Sequence, residues 1–503
     1  DQAVVDADAR VGVDDGLVPP PGGWRLDVVE ADLCAGCFRV TARGRQLTVE
    51  GGDRLGRLYG VSHALEQLGW RFHHPRDALL PDVPRLPAAP EGFGEEQAPE
   101  VARRALHLHT LHPIEGQRDL WAADDTDGAE AIIDWVVRQR GNHLQWVATD
   151  DITRDPDALA AWRLHTGRVV EAAHARGLTV GLGVQLFGSG NLQQAFDLLD
   201  AVGTPAEQEA EMDRRLAAIS GLGLDAVDLS FGEFFAEDPA RFIASAELAY
   251  DRVVSALPGA RVSCVIHVGD DLQVTWDGET FPYYFLATKL DRPVVPHIHT
   301  VMFYGLYEDA GGAYHHERFD DHRAWLEQAI EAGRPAGYFP ESAYWIAFDD
   351  SVPSYLPIYL RTRWWDLREL ARFAGDRGVP GLAEHTLFSS GWEWGYWQND
   401  VSVLRNLWRL DEDPWQALRH ELAPYGDVGG ALADAVEALG DLQHAALLEQ
   451  RLAPYIASYD NVMEAGFGIG KVAAPPRLLP AAVLALDEDG LAALRADVRE
   501  PLT

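Results

Sequence analysis

The alternation of apolar and polar residues divides the chain into three stretches. Phe38 to Val49 alternates with period two, which predicts a strand. Gly51-Gly52-Asp53 follows as a turn. Arg54 to Leu68 then reads as an amphipathic helix with Leu55, Leu58, Val61 and Leu65 on one side, and Gly69 stops it. Trp70 to Pro75 reads as a short aromatic strand. A proline-rich stretch, PDVPRLPAAPEGFGEEQAPE, closes this block as a linker.

From residue 103 the rhythm changes. Short apolar runs alternate with helical segments, as in a parallel βα fold. The expected strands are Ala105–His109, Leu144–Thr149, Thr179–Leu186, Ala226–Phe231, Val262–His267, Val295–Phe303, Ala336–Phe339 and His385–Ser390. Helices are expected over Gly128–Arg140, Ala158–Arg176, Pro205–Gly221 and Pro239–Leu257. Eight strands over roughly 290 residues predict a (β/α)8 TIM barrel, a fold that takes about 250. After residue 412 the chain turns rich in Ala and Leu. Trp415–Leu422, Ala431–Leu452 and Leu491–Val498 read as helices, the second ended by Pro454. The α/β architecture is therefore a small α/β domain (1–95), a barrel (100–411) and a helical C-terminal domain (412–503). No internal repeat is visible.

Composition narrows the function. The 503 residues carry 79 Asp and Glu against 42 Lys and Arg, a net charge of -37, with no basic run. Such a surface repels phosphate backbones, so nucleic acid is excluded as a partner. No apolar run approaches the roughly 20 residues that span a bilayer, so membrane insertion is not expected. Lys289 and Lys471 are the only lysines. Of the three cysteines, Cys34 and Cys37 form a C-x-x-C without the second pair that would complete a zinc site. A local disulfide and two plain thiols are both open. The chain begins at Asp1, and a secreted or periplasmic location is expected by inference alone. The sequence leaves the oligomeric state open.

The stretch Leu47 to Pro75, LTVEGGDRLGRLYGVSHALEQLGWRFHHP, resembles the small α/β domain that precedes the barrel in many exo-acting glycoside hydrolases, among them hexosaminidases and α-glucuronidases. Gly56, Tyr59, Gly60, Leu65 and Gly69 sit where that pattern wants them. The resemblance implies a barrel enzyme that removes sugars from a chain end. The chain departs from the hexosaminidase pattern at strand four, where Phe231-Gly232-Glu233 stands in place of an Asp-Glu pair.

Catalytic groups of such a barrel lie at the C-terminal strand ends. Strand one offers His107-x-His109, strand two Asp150-Asp151, strand three Gln185, and strand four Glu233. Strand five offers His267, strand six His297-x-His299, strand seven Glu341, and strand eight Trp392-Glu393-Trp394. Glycoside hydrolysis takes two carboxyls flanking the anomeric carbon. Glu233 and Glu341 form the expected catalytic pair, on strands that face each other; the placement resembles barrels that retain configuration. Asp228 and Ser230 hold the polar phase of strand four, so Glu233 needs a bulge at Gly232 to join them.

His107, His109, Asp150, Asp151, Gln185, His267, His299, Trp345, Trp392 and Glu393 are the expected substrate-binding groups. The tryptophans would stack on sugar faces. Asp150-Asp151 competes as an acid pair, and either could instead cap the next helix. No cofactor is expected. The histidines also allow a metal-dependent hydrolase barrel resembling the amidohydrolases, and loss of the acid would leave a carbohydrate-binding barrel. A uronic acid substrate would need a cation in the pocket, for which the sequence offers Arg104, Arg361 and Arg363.

Overall fold

The computed structural model describes residues 11–13, 23–108, 125–148, 150–153, 155–188, 195–199, 203–231, 238–268, 272–310, 316–342, 355–389, 397–450 and 486–499. The N-terminal sheet runs in the order Val11–Val13, Trp24–Glu30, Gln46–Gly51, Phe38–Arg43, Glu96–Gln97. The single strand expected over Phe38–Val49 is an antiparallel hairpin, with Arg43 opposite Gln46. Gly44 makes the turn at φ 62°, a conformation that strains any residue with a Cβ.

The helix Arg54–Gln67 follows, with Asp53 accepting from the Gly56 N–H at its start. Leu55, Leu58, Val61 and Leu65 pack against the core, but the fully buried face is Gly56, Tyr59, Gly60, His63 and Ala64. Gly60 explains the difference. A Cβ there would lie 2.4 Å from Val49 Cγ1, so the helix sits closer to the sheet than a leucine face allows. Cys34 and Cys37 are joined as a disulfide.

The barrel is closed. Its strands, one to eight in chain order, are Arg103–Leu108, His143–Val147, Thr179–Phe187, Ala226–Ser230, Arg261–Ile266, Val295–Thr300, Gly337–Pro340 and Glu384–Ser389. All neighbours pair in parallel, and strands eight and three close the ring on strands one and two. The strands read as near-continuous apolar runs because helices cover their outer face while the inner face fills the barrel. Four aspartates cap barrel and C-terminal helices: Asp125, Asp155, Asp238 and Asp413 each accept a backbone N–H at a helix start. The barrel helices are Thr126–Arg138, Pro156–Arg176, Pro205–Leu216, Pro239–Ala256, Asp320–Glu331, Ile358–Arg377 and Trp397–Asn406. A two-stranded hairpin, Gln273–Trp276 with Glu279–Pro282, is inserted after strand five.

Helices Pro414–Leu422, Gly426–Gln443 and Glu488–Arg499 follow the barrel. The second ends in a π turn over His444–Glu449, and Pro454 lies outside the described residues. The α/β N-terminal region is tied to the barrel by buried polar contacts. Tyr59 donates to the Gly141 carbonyl at 2.7 Å, and Arg140 pairs with Glu66 at 2.7 Å. No described helix is long and apolar enough to cross a membrane.

Candidate active site at the barrel mouth

A pocket opens at the C-terminal strand ends, enclosing about 590 Å³ of atom-free space. Its polar lining comes from strands one, three, four, five, six and seven: His107, Gln185, Asp228 and Ser230, His267, His299 and Glu341. Phe339 and Phe388 form an apolar wall.

Glu341 follows strand seven directly and bridges in parallel to Phe388 of strand eight. Its backbone N–H donates to the Thr300 carbonyl at 3.2 Å, and its side chain is buried. Oε2 accepts the Met302 N–H at 2.6 Å, and Oε1 faces His299 Nε2 at 3.5 Å. His299 Nδ1 donates to the Phe339 carbonyl at 2.7 Å, which fixes the ring so that Nε2 points at the carboxyl.

The Met302 donor is itself held. Met302 sits at φ 45°, a conformation rare outside glycine, and its carbonyl accepts from Arg363. Arg363 also donates to the Tyr304 carbonyl at 2.9 Å, and Asp366 accepts the Leu306 N–H at 2.8 Å. This buried pair clamps the turn after strand six. Burial pushes the Asp366 carboxyl up to about 6, against the downward pull of Arg363 and Tyr338. On the other side, Asp400 accepts from Ser342 Oγ at 2.5 Å and Ser389 Oγ at 2.8 Å, which fixes the ends of strands seven and eight. Burial raises Asp400 to about 7 against those two hydrogen bonds.

Asp228 lies on the inner face of strand four. It accepts from Gln145 Nε2 at 3.1 Å and Ser263 Oγ at 3.0 Å. Gln145 Nε2 also donates to His107 Nδ1 at 2.9 Å. His107 stacks on Phe388 with ring centroids 5.5 Å apart. Burial pushes His107 down to about 4 despite the opposing pull of the Asp228 carboxylate. Burial and the charge of His299 likewise push His267 down to about 3, and the two rings lie 4.8 Å apart. Both imidazoles are thus uncharged near neutrality and act as hydrogen-bonding groups. Gln185 Nε2 is buried with no partner among the described residues, so a donor faces the pocket unsatisfied.

The structure brings together His107, Gln185, His267, His299 and Glu341 as the sequence predicts. Glu233, His109, Trp345, Trp392 and Glu393 lie outside the described residues, as do the side chains of Asp150 and Asp151. Asp150 begins a short 3-10 turn that ends at Thr153, and the cap of the helix beyond is Asp155. Among the described residues, no three His, Asp or Glu side chains at the mouth bring ligand atoms within 4.8 Å of one another. Sequence reasoning did not assign Asp228 and Gln145 to the site. The available signal was a polar residue in the middle of an apolar strand, VDLS in strand four and LQWV in strand two.

The sequence matches no protein-family model and no curated protein. Solved structures are similar in fold. One is the N-acetyl-β-hexosaminidase of Streptomyces plicatus, at a TM-score of 0.55 and 16% identity, with 85% of this chain and 88% of that chain covered. Another is a GH138 enzyme targeting pectin rhamnogalacturonan II, at 0.55 and 12%, with 90% and 54% covered. A third is a GH89 enzyme from Clostridium perfringens in complex with GlcNAc-alpha-1,4-galactose, at 0.52 and 9%, with 83% and 50% covered. The chain thus spans about half the length of the GH138 and GH89 enzymes. At such identities the likeness concerns architecture, and the chain has the fold shared by glycoside hydrolases of several families, a TIM barrel behind a small α/β domain.

Proposed function

We propose that this chain hydrolyses a glycosidic bond of a complex carbohydrate, acting from a chain end, with Glu341 as one of two catalytic carboxyls. One observation carries the reading: a buried glutamate at the end of strand seven lines the barrel-mouth pocket with one carboxyl oxygen fixed by a backbone N–H. The Met302 N–H restricts the side chain to one orientation. Oε1, which faces His299 Nε2 at 3.5 Å, acts on an anomeric carbon or on a water. His299 steadies that oxygen, and Gln185 and His107 offer hydrogen bonds to sugar hydroxyls. Phe339 and Phe388 present faces against which a pyranose ring packs. Glu233 is the expected second carboxyl, the acid that protonates the leaving oxygen. The Cys34–Cys37 bridge supports an oxidising compartment, and with it a secreted or periplasmic site of action.

The test is hydrolysis of a panel of chromogenic glycosides, with and without EDTA, beside Glu233→Gln and Glu341→Gln. Activity that survives EDTA and is lost in both variants is the expected result. Loss with EDTA and recovery with zinc would instead favour a metal-dependent hydrolase. Silence on every substrate together with binding on a glycan array would favour a binding protein.

A further inference from the structure

We propose that Arg363 and Tyr338 are positioning residues for the Glu341 carboxyl, which they hold from behind through the Met302 N–H; the catalytic consequence rests on the glycosidase reading of the pocket. Arg363 belongs to the helix Ile358–Arg377 between strands seven and eight, and Tyr338 to strand seven. Both are wholly buried, and neither is among the described lining residues of the pocket.

This helix holds both partners of the hydrogen bond that fixes Oε2. Met302 supplies the N–H, and the Thr300 carbonyl accepts the Glu341 backbone N–H. The Arg363 guanidinium donates to the Met302 and Tyr304 carbonyls, to Thr300 Oγ1 at 3.1 Å and to the Tyr338 hydroxyl oxygen at 3.1 Å. The Tyr338 hydroxyl donates to Asp366, one helical turn beyond Arg363, and Asp366 accepts the Leu306 N–H at 2.8 Å. Strand six, the turn after it and strand seven are thereby referenced to one helix.

Stability alone does not account for such a cluster. A buried ion pair is often matched by apolar groups of the same volume. Met302 adds a cost of its own, since φ 45° in a residue other than glycine persists only where the surroundings over-determine it, as they do at functional sites. The turn has no slack: a Cβ on Gly305 would lie 2.9 Å from Asp366 Oδ1. The other carboxyl oxygen is governed separately. His299 faces Oε1 at 3.5 Å and is anchored on the Phe339 carbonyl, so loss of Arg363 shifts Oε2 while His299 keeps its place. Displacing a reacting group by about 1 Å is enough to lower a rate about 100-fold.

The test joins kinetics on the glycoside panel to a spectroscopic reading. Met212, Met302 and Met463 are the only methionines, so isotope labelling of methionine nitrogen gives three backbone amide signals, with Met302 assigned by Met302→Leu. Donation to a carboxyl oxygen at 2.6 Å moves the Met302 amide proton downfield, and Glu341→Gln supplies the reference for its weakening. Arg363→Lys, whose single ammonium cannot reproduce the guanidinium fork, is expected to lower kcat about 100-fold with KM changed by less than about twofold. Tyr338→Phe is expected to lower kcat about tenfold. Both should move the Met302 amide toward its position in Glu341→Gln. Arg140→Lys, which disturbs the buried pair with Glu66 at the N-terminal domain, should lower the melting temperature and leave kcat and the amide in place. An unchanged kcat or an unmoved Met302 amide in folded Arg363→Lys overturns the proposal, as does an equal fall of kcat in Arg140→Lys. The same null result in Tyr338→Phe removes Tyr338 from it. If Arg363→Lys does not fold, Tyr338→Phe decides. If the wild type hydrolyses nothing, the glycosidase reading fails, and the Met302 amide alone decides whether the pair positions the carboxyl.

Discussion

The two ends of the barrel are both polar inside, and they treat charge in opposite ways. At the closed end Arg261 forms a two-pronged pair with Glu384, which also accepts from His297 at 3.2 Å. Burial alone would raise Glu384, but the hydrogen bonds from His297 and Arg261 outweigh it and hold the carboxyl at about 2. Arg261, His297 and Glu384 compensate one another there, and the arrangement serves stability. At the mouth, Asp228 and Glu341 are held by neutral donors, a Gln, a Ser and a backbone N–H. His297 and His299 of one strand each face a glutamate. Two residues apart and on the same face, one meets Glu384 and the other Glu341. The two-pronged arginine pair distinguishes the closed end from the mouth, where no Arg or Lys is among the described lining residues.

The largest expected effect breaks the mouth alone. Glu341→Gln should lower kcat by roughly 10³-fold, within the range for a lost catalytic acid or base, with an unchanged melting curve. Equal loss of activity and stability would mean that Glu341 is structural. Next, Glu384→Gln should act at the closed end and lower unfolding free energy by about 3 kcal/mol at pH 7, the cost of breaking a buried pair. The folded carboxyl lies at about 2 against an ordinary 4.5. Its contribution is therefore present above pH 4.5 and is lost as the pH falls toward 2. Denaturant melts of wild type and variant should converge across that window.

Gly337→Ala sharpens the same comparison. A Cβ at Gly337 would lie 2.5 Å from His297 Cδ2, so the ring must move off Glu384. A loss of about 1–3 kcal/mol is expected by thermal melting, as for an overpacked core. The acid response of the mouth is expected on a similar scale. His107 is pushed from 6.5 to about 4, so between those values the unfolded chain takes a proton that the folded one refuses. Stability should fall with falling pH there, by up to about 1.4 kcal/mol per pH unit. His107→Gln should reduce that slope in denaturant titrations, leaving the part due to the other buried histidines, His267, His322 and His385 among them.

The barrel was legible because its strands are short runs rich in apolar residues and its helices are punctuated by Asp, Pro and Gly, and such local signals survive without tertiary context. All eight strands lie where the periodicity put them, within a few residues. The hairpin at Gly44 does not show in period two alone, because both arms alternate; the signal is Gly44 together with the switch of the apolar positions from Phe38 and Val40 to Leu47 and Val49. The leucine side of helix Arg54–Gln67 packs against the core, but the closest approach lies at Gly56 and Gly60, which carry no hydrophobicity signal.

In the site, the sequence by itself placed five of the described side chains at the mouth and left out Asp228. The two-residue repeat of a strand, together with the rule that a barrel presents its C-terminal strand ends, selects His107, Gln185, His267, His299 and Glu341. Only the tertiary structure decided what those groups do to one another. That Glu341 is held by Met302, that Arg104 and Arg363 are committed to buried carbonyls, and that Asp228 has no cation beside it in the pocket are facts about partners far apart in the chain. Residue type and spacing fix where a charge sits along the backbone. Its solvation and its neighbours, which set its chemistry, arise only when the ring of strands closes.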